Sequence, residues 1–125
     1  MQVNNIQNNN NTSFTSIKLA GGARETLRRV LKPKDWEAFD AIIQEQKSIP
    51  INAHLFGNDN KLYAKLIYQN NKSNSYREKV YHQRPFFESA INFLKRIGNK
   101  AIAWNEEFKN EPDVDVERIL AQLDS

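Results

Sequence analysis

Residues 49–82 read IPINAHLFGNDNKLYAKLIYQNNKSNSYREKVYH, and their alternation decides the fold. Ile49, Ile51, Ala53 and Leu55 fall on every second position, and so do Leu62, Ala64, Leu66 and Tyr68. Successive side chains of a strand point to opposite sides, so each set forms one face. Gly57-Asn58-Asp59-Asn60 separates the two runs with the residues that tight hairpins prefer. The polar stretch Asn70 to Asn74 then leads into Ser75 to His82, a third strand whose one aliphatic residue is Val80. The pattern predicts an antiparallel meander of three strands, 49–56, 61–69 and 75–82, with one face wet and the other covered.

The cover comes from helices on either side. Upstream, Gly21-Gly22 breaks the chain and a helix is expected from Ala23 to Leu31, with Leu27, Val30 and Leu31 on one side. Pro33 ends it and opens a second helix to Gln46, where a first-turn proline is well placed. Trp36, Phe39, Ile42 and Ile43 recur at three- and four-residue spacing, and Trp36 is expected in the core. Downstream, a helix over 86–108 carries Ala90, Leu94, Ile97, Ala101, Trp104 and Phe108 as one stripe, either core or a seam for a partner. Leu94 is assigned to the core. Gly98-Asn99 is expected to kink or break that helix. A last helix over 113–123 presents Val116, Ile119, Leu120 and Leu123, and packs on the domain or on another chain. The fold class is therefore α+β: a three-stranded antiparallel meander packed on helices, in the order α-α-β-β-β-α-α. Residues 17–125 are read as a single domain. Residues 1–16 hold six asparagines and few apolar groups, and are expected to be a disordered polar tail. Phe14, Ile17 and Leu19 either add a strand to a sheet edge or dock on the core.

Composition narrows the function. There is no cysteine, which excludes disulfides, thiolate metal sites and thiol nucleophiles. No run of 18 apolar residues is present, so no membrane span is expected, and the N-terminus lacks the charged flank and apolar stretch of a secretory signal. A cytoplasmic location is the default expectation, with a secreted effector as the alternative that an Asn-, Ser- and Thr-rich start suggests. The net charge of +3 hides alternating blocks: residues 1–34 carry six basic groups against one acidic, and residues 49–84 six against two.

No catalytic constellation stands out. His54 and His82 fall on strands one and three without a third ligand at defined spacing, so neither a metal site nor a cofactor is assigned. Gly21-Gly22 lacks the Lys-Ser/Thr of a phosphate loop, and the acidic pairs Glu106-Glu107 and Asp113-Asp115 read as solvated charge. The outer face of the sheet is the most informative surface. If Leu62 to Tyr68 point inward and Val80 is buried, Lys61, Tyr63, Lys65, Arg77, Lys79 and Tyr81 share the outer face, beside His54 and Phe56. Cations neutralise phosphates and flat rings stack on bases. The same residues also suit an ordinary solvated sheet.

The order helix, three strands, helix resembles that of the double-stranded-RNA-binding domain. That family begins its last helix with lysines, where this chain reads Pro85-Phe86-Phe87-Glu88, so the phosphate clamp is missing. A three-stranded sheet backed by a helix is also similar to the arm-binding domains of phage integrases, which lay the sheet in the DNA major groove. The leading expectation is a small non-catalytic interaction protein (adaptor, inhibitor or regulatory subunit) that binds a protein partner. The alternative is a nucleic-acid binder using the six residues above, and a small enzyme comes third. Self-association through the helices over 86–108 or 113–123 is a further expectation.

Overall fold

A computed structural model of the chain describes residues 17–70, 74–111 and 114–124. The tail expected at 1–16, the residues 71–73 of the second turn, and Asp113 lie outside the described residues. The elements in chain order are β1 (Ile17–Leu19), α1 (Ala23–Val30), α2 (Pro33–Gln46), β2 (Asn52–Asn58), β3 (Lys61–Asn70), β4 (Ser75–His82), α3 (Ala90–Phe108) and α4 (Val116–Leu123).

The sheet has four strands in the order β1-β2-β3-β4, not the three of a simple meander. The additional strand, Ile17–Leu19, runs parallel to β2, with Ile17 opposite Ala53 and Leu19 opposite Leu55. A parallel partner needs a crossover, and here α1 and α2 supply it. The meander β2-β3-β4 is antiparallel as expected. Its first turn is tighter than the four residues read from sequence: Asn58 pairs with Lys61, leaving Asp59 and Asn60 at φ 50° and 63°. That is a two-residue turn of the mirror-image kind that matches strand twist.

The helices cover one face. Ile51, Ala53, Leu55, Leu62, Ala64, Leu66 and Tyr68 are buried beneath α1 and α3, and α2 packs against α3. The α3 stripe is core: Ala90, Leu94, Ile97, Ala101 and Trp104 are buried, and Phe108 stacks on Tyr68 at 4.0 Å. It is therefore consumed internally and is no partner seam. Trp36 departs from expectation, being 41% exposed. It lies in the first turn of α2, with the Phe39 ring at 6.2 Å, and lines an open groove with Ile17, Leu19 and Leu27.

Gly22 is latched to the sheet. It sits at φ +75°, and a side-chain carbon there would lie 2.2 Å from the Gly57 carbonyl oxygen. The Gly57 N–H donates to the Gly21 carbonyl at 3.0 Å, so the Gly21-Gly22 turn seats the start of α1 on β2 rather than merely interrupting the chain.

The expected break at Gly98 is absent, and α3 runs unbroken through it. Gly98 is buried where α2 crosses, and an added Cβ would come within 2.9 Å of the Gln46 amide nitrogen and 3.1 Å of an Ile42 methyl. Its small size thus permits close approach of the two helices. Gly98→Val should wedge α2 from α3 and cost about 1–3 kcal/mol despite the better helix propensity of a non-glycine residue. A denaturation midpoint equal to that of the parent would refute this account of the crossing.

Candidate functional site

Register divides the six candidate residues between two faces. In an antiparallel pair, residues directly opposite point the same way. Tyr81 lies opposite Ala64, Lys79 opposite Leu66 and Arg77 opposite Tyr68, all on the helix side. Val80 lies opposite Lys65 and is exposed, on the open side. The sequence reading of β4 is therefore one residue out of phase: Lys61, Tyr63 and Lys65 share the open face, and Arg77, Lys79 and Tyr81 do not join them. The physical reason is that β4 flanks α3 at the sheet margin, where long cations cover the core edge with their stems. The Arg77 guanidinium lies 5.1 Å from the Trp104 ring and 5.0 Å from Phe108, and 3.1 Å from a Glu107 carboxylate oxygen. Tyr81 packs against the core, with Lys79 at 5.2 Å and Arg96 at 6.0 Å from its ring.

On the open face a ladder of rings crosses three strands. Phe56 stacks on Tyr63 at 4.9 Å with planes 7° apart, and Tyr63 on His82 at 5.6 Å. The next row along the strands holds Lys18, His54, Lys65 and Val80, followed by Asn52, Ile67 and Glu78. Lys65 pairs with Glu78 at 3.7 Å. Glu78 also accepts from the Tyr76 hydroxyl, and this bond is the main reason its carboxyl is held below the usual range. His54 and His82 sit on strands separated by β3 and are offset by two residues along them, roughly 12 Å apart. Among the described residues no three His, Asp or Glu side chains converge as metal ligands, and no helix is long and apolar enough to cross a membrane.

The ladder ends at a loop that sequence reading placed inside a helix. Here α3 begins at Ala90, because the Ser89 hydroxyl caps it by accepting from the Asn92 N–H at 3.2 Å. Residues 83–89 are a pinned loop. The Gln83 N–H donates to the Leu62 carbonyl, its side-chain oxygen accepts from the Leu62 N–H, and its amide nitrogen donates to the Glu88 carbonyl, each at 2.9 Å. Glu88 accepts from Arg96 Nε at 2.8 Å, from Arg96 Nη2 at 3.0 Å and from the Arg84 N–H at 3.0 Å. Arg96 also donates to the His82 carbonyl at 2.8 Å. The Arg96 bond holds the Glu88 carboxyl below its ordinary range, against the opposing effect of burial.

This scaffold presents Phe86 and Phe87, which are 97% and 89% exposed. Phe86 sits at φ +68°, a strained conformation for a bulky residue. Pro85 lines the same hollow as Tyr63 and His82, so the base of the loop adjoins the ring ladder. The signal in the sequence was the serine: Ser89 followed by apolar positions marks a helix start and leaves Phe86-Phe87 outside it.

No protein-family model, curated protein sequence or solved structure matches this chain.

Proposed function

We propose that this is a non-catalytic module that binds a protein partner through the Phe86-Phe87 loop and the adjoining Phe56–Tyr63–His82 ladder. The observation that carries this reading is the pair of almost fully exposed phenylalanines on a loop held by a partly buried ion pair. Isolated exposed apolar residues are ordinary, but two adjacent aromatic rings in a strained, hydrogen-bonded loop are not. Aromatic anchors that bury on association are the usual centres of protein interfaces. A pre-ordered loop also spares the entropy of fixing it on binding.

The nucleic-acid alternative is weaker on this surface. Tyr63 has Phe56 against one ring face and His82 against the other, so neither face is open to a base without parting the stack. Of the four candidate cations, Lys61 remains on the open face, Lys65 is already engaged with Glu78, and Arg77 and Lys79 belong to the other side of the sheet.

The test is affinity capture from native lysate with and without nuclease. A specific protein should be retained in both arms and lost with Phe86→Ala/Phe87→Ala. The double variant should keep its stability within about 0.5 kcal/mol, because these rings touch solvent. Capture that depends on nucleic acid, or that survives the double variant, would refute the reading.

A further inference from the structure

We infer that the protein forms a two-fold dimer in which the α4 helix of each copy seats in the groove between β1, α1 and α2 of the other. This goes beyond the proposed aromatic surface and does not depend on it.

Among the described residues, two apolar surfaces are left largely uncovered within one copy. The first is α4. Val116, Ile119, Leu120 and Leu123 recur at spacings of 3, 1 and 3, which gathers them on one side of the helix. None of its residues is buried, and Leu123 is 76% exposed. The helix is nonetheless properly started, since the Asp115 carboxylate caps it by accepting from the Arg118 N–H at 3.0 Å. An amphipathic helix of eight residues draws its stability mostly from burial of its apolar side, and here that side is covered only in part, with Val116 half-buried and Ile119 and Leu120 42% and 49% exposed.

The second feature is a groove of about 400 Å³ floored by Leu19, Leu27, Trp36 and Phe39. Trp36 and Leu19 are among the most exposed large apolar groups outside the loop and α4. Arg24 and Arg28 edge the groove, with Asp40 as its one acidic group.

The two features match in chemistry and in charge. Segment 114–124 carries Asp115, Glu117 and Asp124 against Arg118, and the groove carries two arginines against one aspartate. An amphipathic helix laid into an apolar groove is a recurrent mode of recognition. The helix is about 12 Å long, a fair length for such a groove. We assign the pairing to two copies, since no residue of α4 lines the groove of its own chain. On its own chain α4 follows α3 at the end where Phe108 stacks on Tyr68 and the Ser75 hydroxyl bonds Glu111, beside β3 and β4. The groove lies at the β1 margin, the opposite side of a sheet ordered β1-β2-β3-β4. Reciprocal exchange about a two-fold axis satisfies both helices and both grooves and closes the assembly.

Light scattering on a sizing column or sedimentation velocity, at about 10–100 µM chain, tests this. The parent should be a dimer. Leu120→Glu/Leu123→Glu in the helix and Trp36→Glu in the groove should each give a monomer whose core still unfolds cooperatively, with helical signal lost from α4 alone. The decisive arm reverses charge. Arg24→Glu/Arg28→Glu and Glu117→Arg/Asp124→Arg should each weaken self-association by about tenfold or more, since like charges then face each other. Mixing the two variants should restore a heterodimer, because both of its contacts are again complementary. A parent that stays monomeric would overturn the inference and leave the groove for a foreign peptide. A dimer indifferent to either set of changes, or charge variants that fail to recombine, would also overturn it.

Discussion

Phe93→Ala is expected to lower the stability of the fold by about 3–5 kcal/mol, the largest effect of any single truncation considered for this protein. Phe93 is fully buried on α3 and belongs to the hydrophobic core that also holds Leu94, Ile97, Leu62 and Leu66. Truncation removes the ring's transfer free energy and leaves a cavity that the surrounding helices and strands can close only in part. The neighbouring Leu94, 2% exposed, should behave alike, with about 2–5 kcal/mol lost on Leu94→Ala. Domains of ordinary stability hold about 5–15 kcal/mol in total, so either change is a large share. Equilibrium denaturation in urea gives the measurement. A loss below about 0.5 kcal/mol at Leu94 would mean that the α3 stripe faces something other than this core.

Glu88→Ala is expected to cost about 2–3 kcal/mol and to release the loop that carries Phe86 and Phe87. The Glu88 side chain is only 9% exposed and the Arg96 side chain 19%, so the pair lies between a surface bridge and a buried one. Truncation leaves Arg96 with the His82 carbonyl as a hydrogen-bond partner and the Tyr81 and Phe93 rings beside it, and frees the Arg84 N–H. A partly buried charge that loses its partner costs more than the bond itself was worth, though less than the 3–5 kcal/mol typical of full burial, about 2–3 kcal/mol here.

The pair also gives stability a pH dependence. The carboxyl of Glu88 titrates lower in the folded chain than in the unfolded one, chiefly through the Arg96 bond. Unfolding therefore takes up a proton in acid. The stabilisation is fully present above the unfolded pKa and is lost as pH falls through the folded one. Glu88→Gln should remove this part of the acid dependence while keeping the shape of the side chain. An unchanged slope of stability against pH below the carboxylate range would disprove that assignment. If the loop is the binding surface, Glu88→Ala should weaken partner capture even with Phe86 and Phe87 intact, because their ordering would then be bought at the moment of binding.

Much of the fold was readable in advance, and the residues show why. Alternation on β3 is unambiguous because Leu62, Ala64, Leu66 and Tyr68 are apolar and each intervening residue but Ile67 is polar or amphipathic. On β4 the same rule misled, because Val80 was the only aliphatic and was taken inward. The true inward residues, Arg77, Lys79 and Tyr81, reach the core edge with stems and rings rather than with aliphatic groups. The open-face ladder was half legible: Phe56 and Tyr63 were placed outward by alternation, but His82 joins them only through the corrected phase.

The sequence by itself determined the elements: four helices and the β2-β3-β4 meander, the apolar stripe of α3, and the amphipathic pattern of α4. Those properties are local. They follow from periodicity, caps and turn residues within a few positions of one another. Tertiary structure alone decided that Ile17–Leu19 joins the sheet in parallel, that Gly98 marks a helix crossing rather than a break, that Trp36 overhangs a groove, and that Arg96 pins Glu88 so that Phe86 and Phe87 stand in solvent. Each of these depends on a partner distant in the chain. Whether an apolar ring is buried is set by what covers it, and no local pattern carries that information.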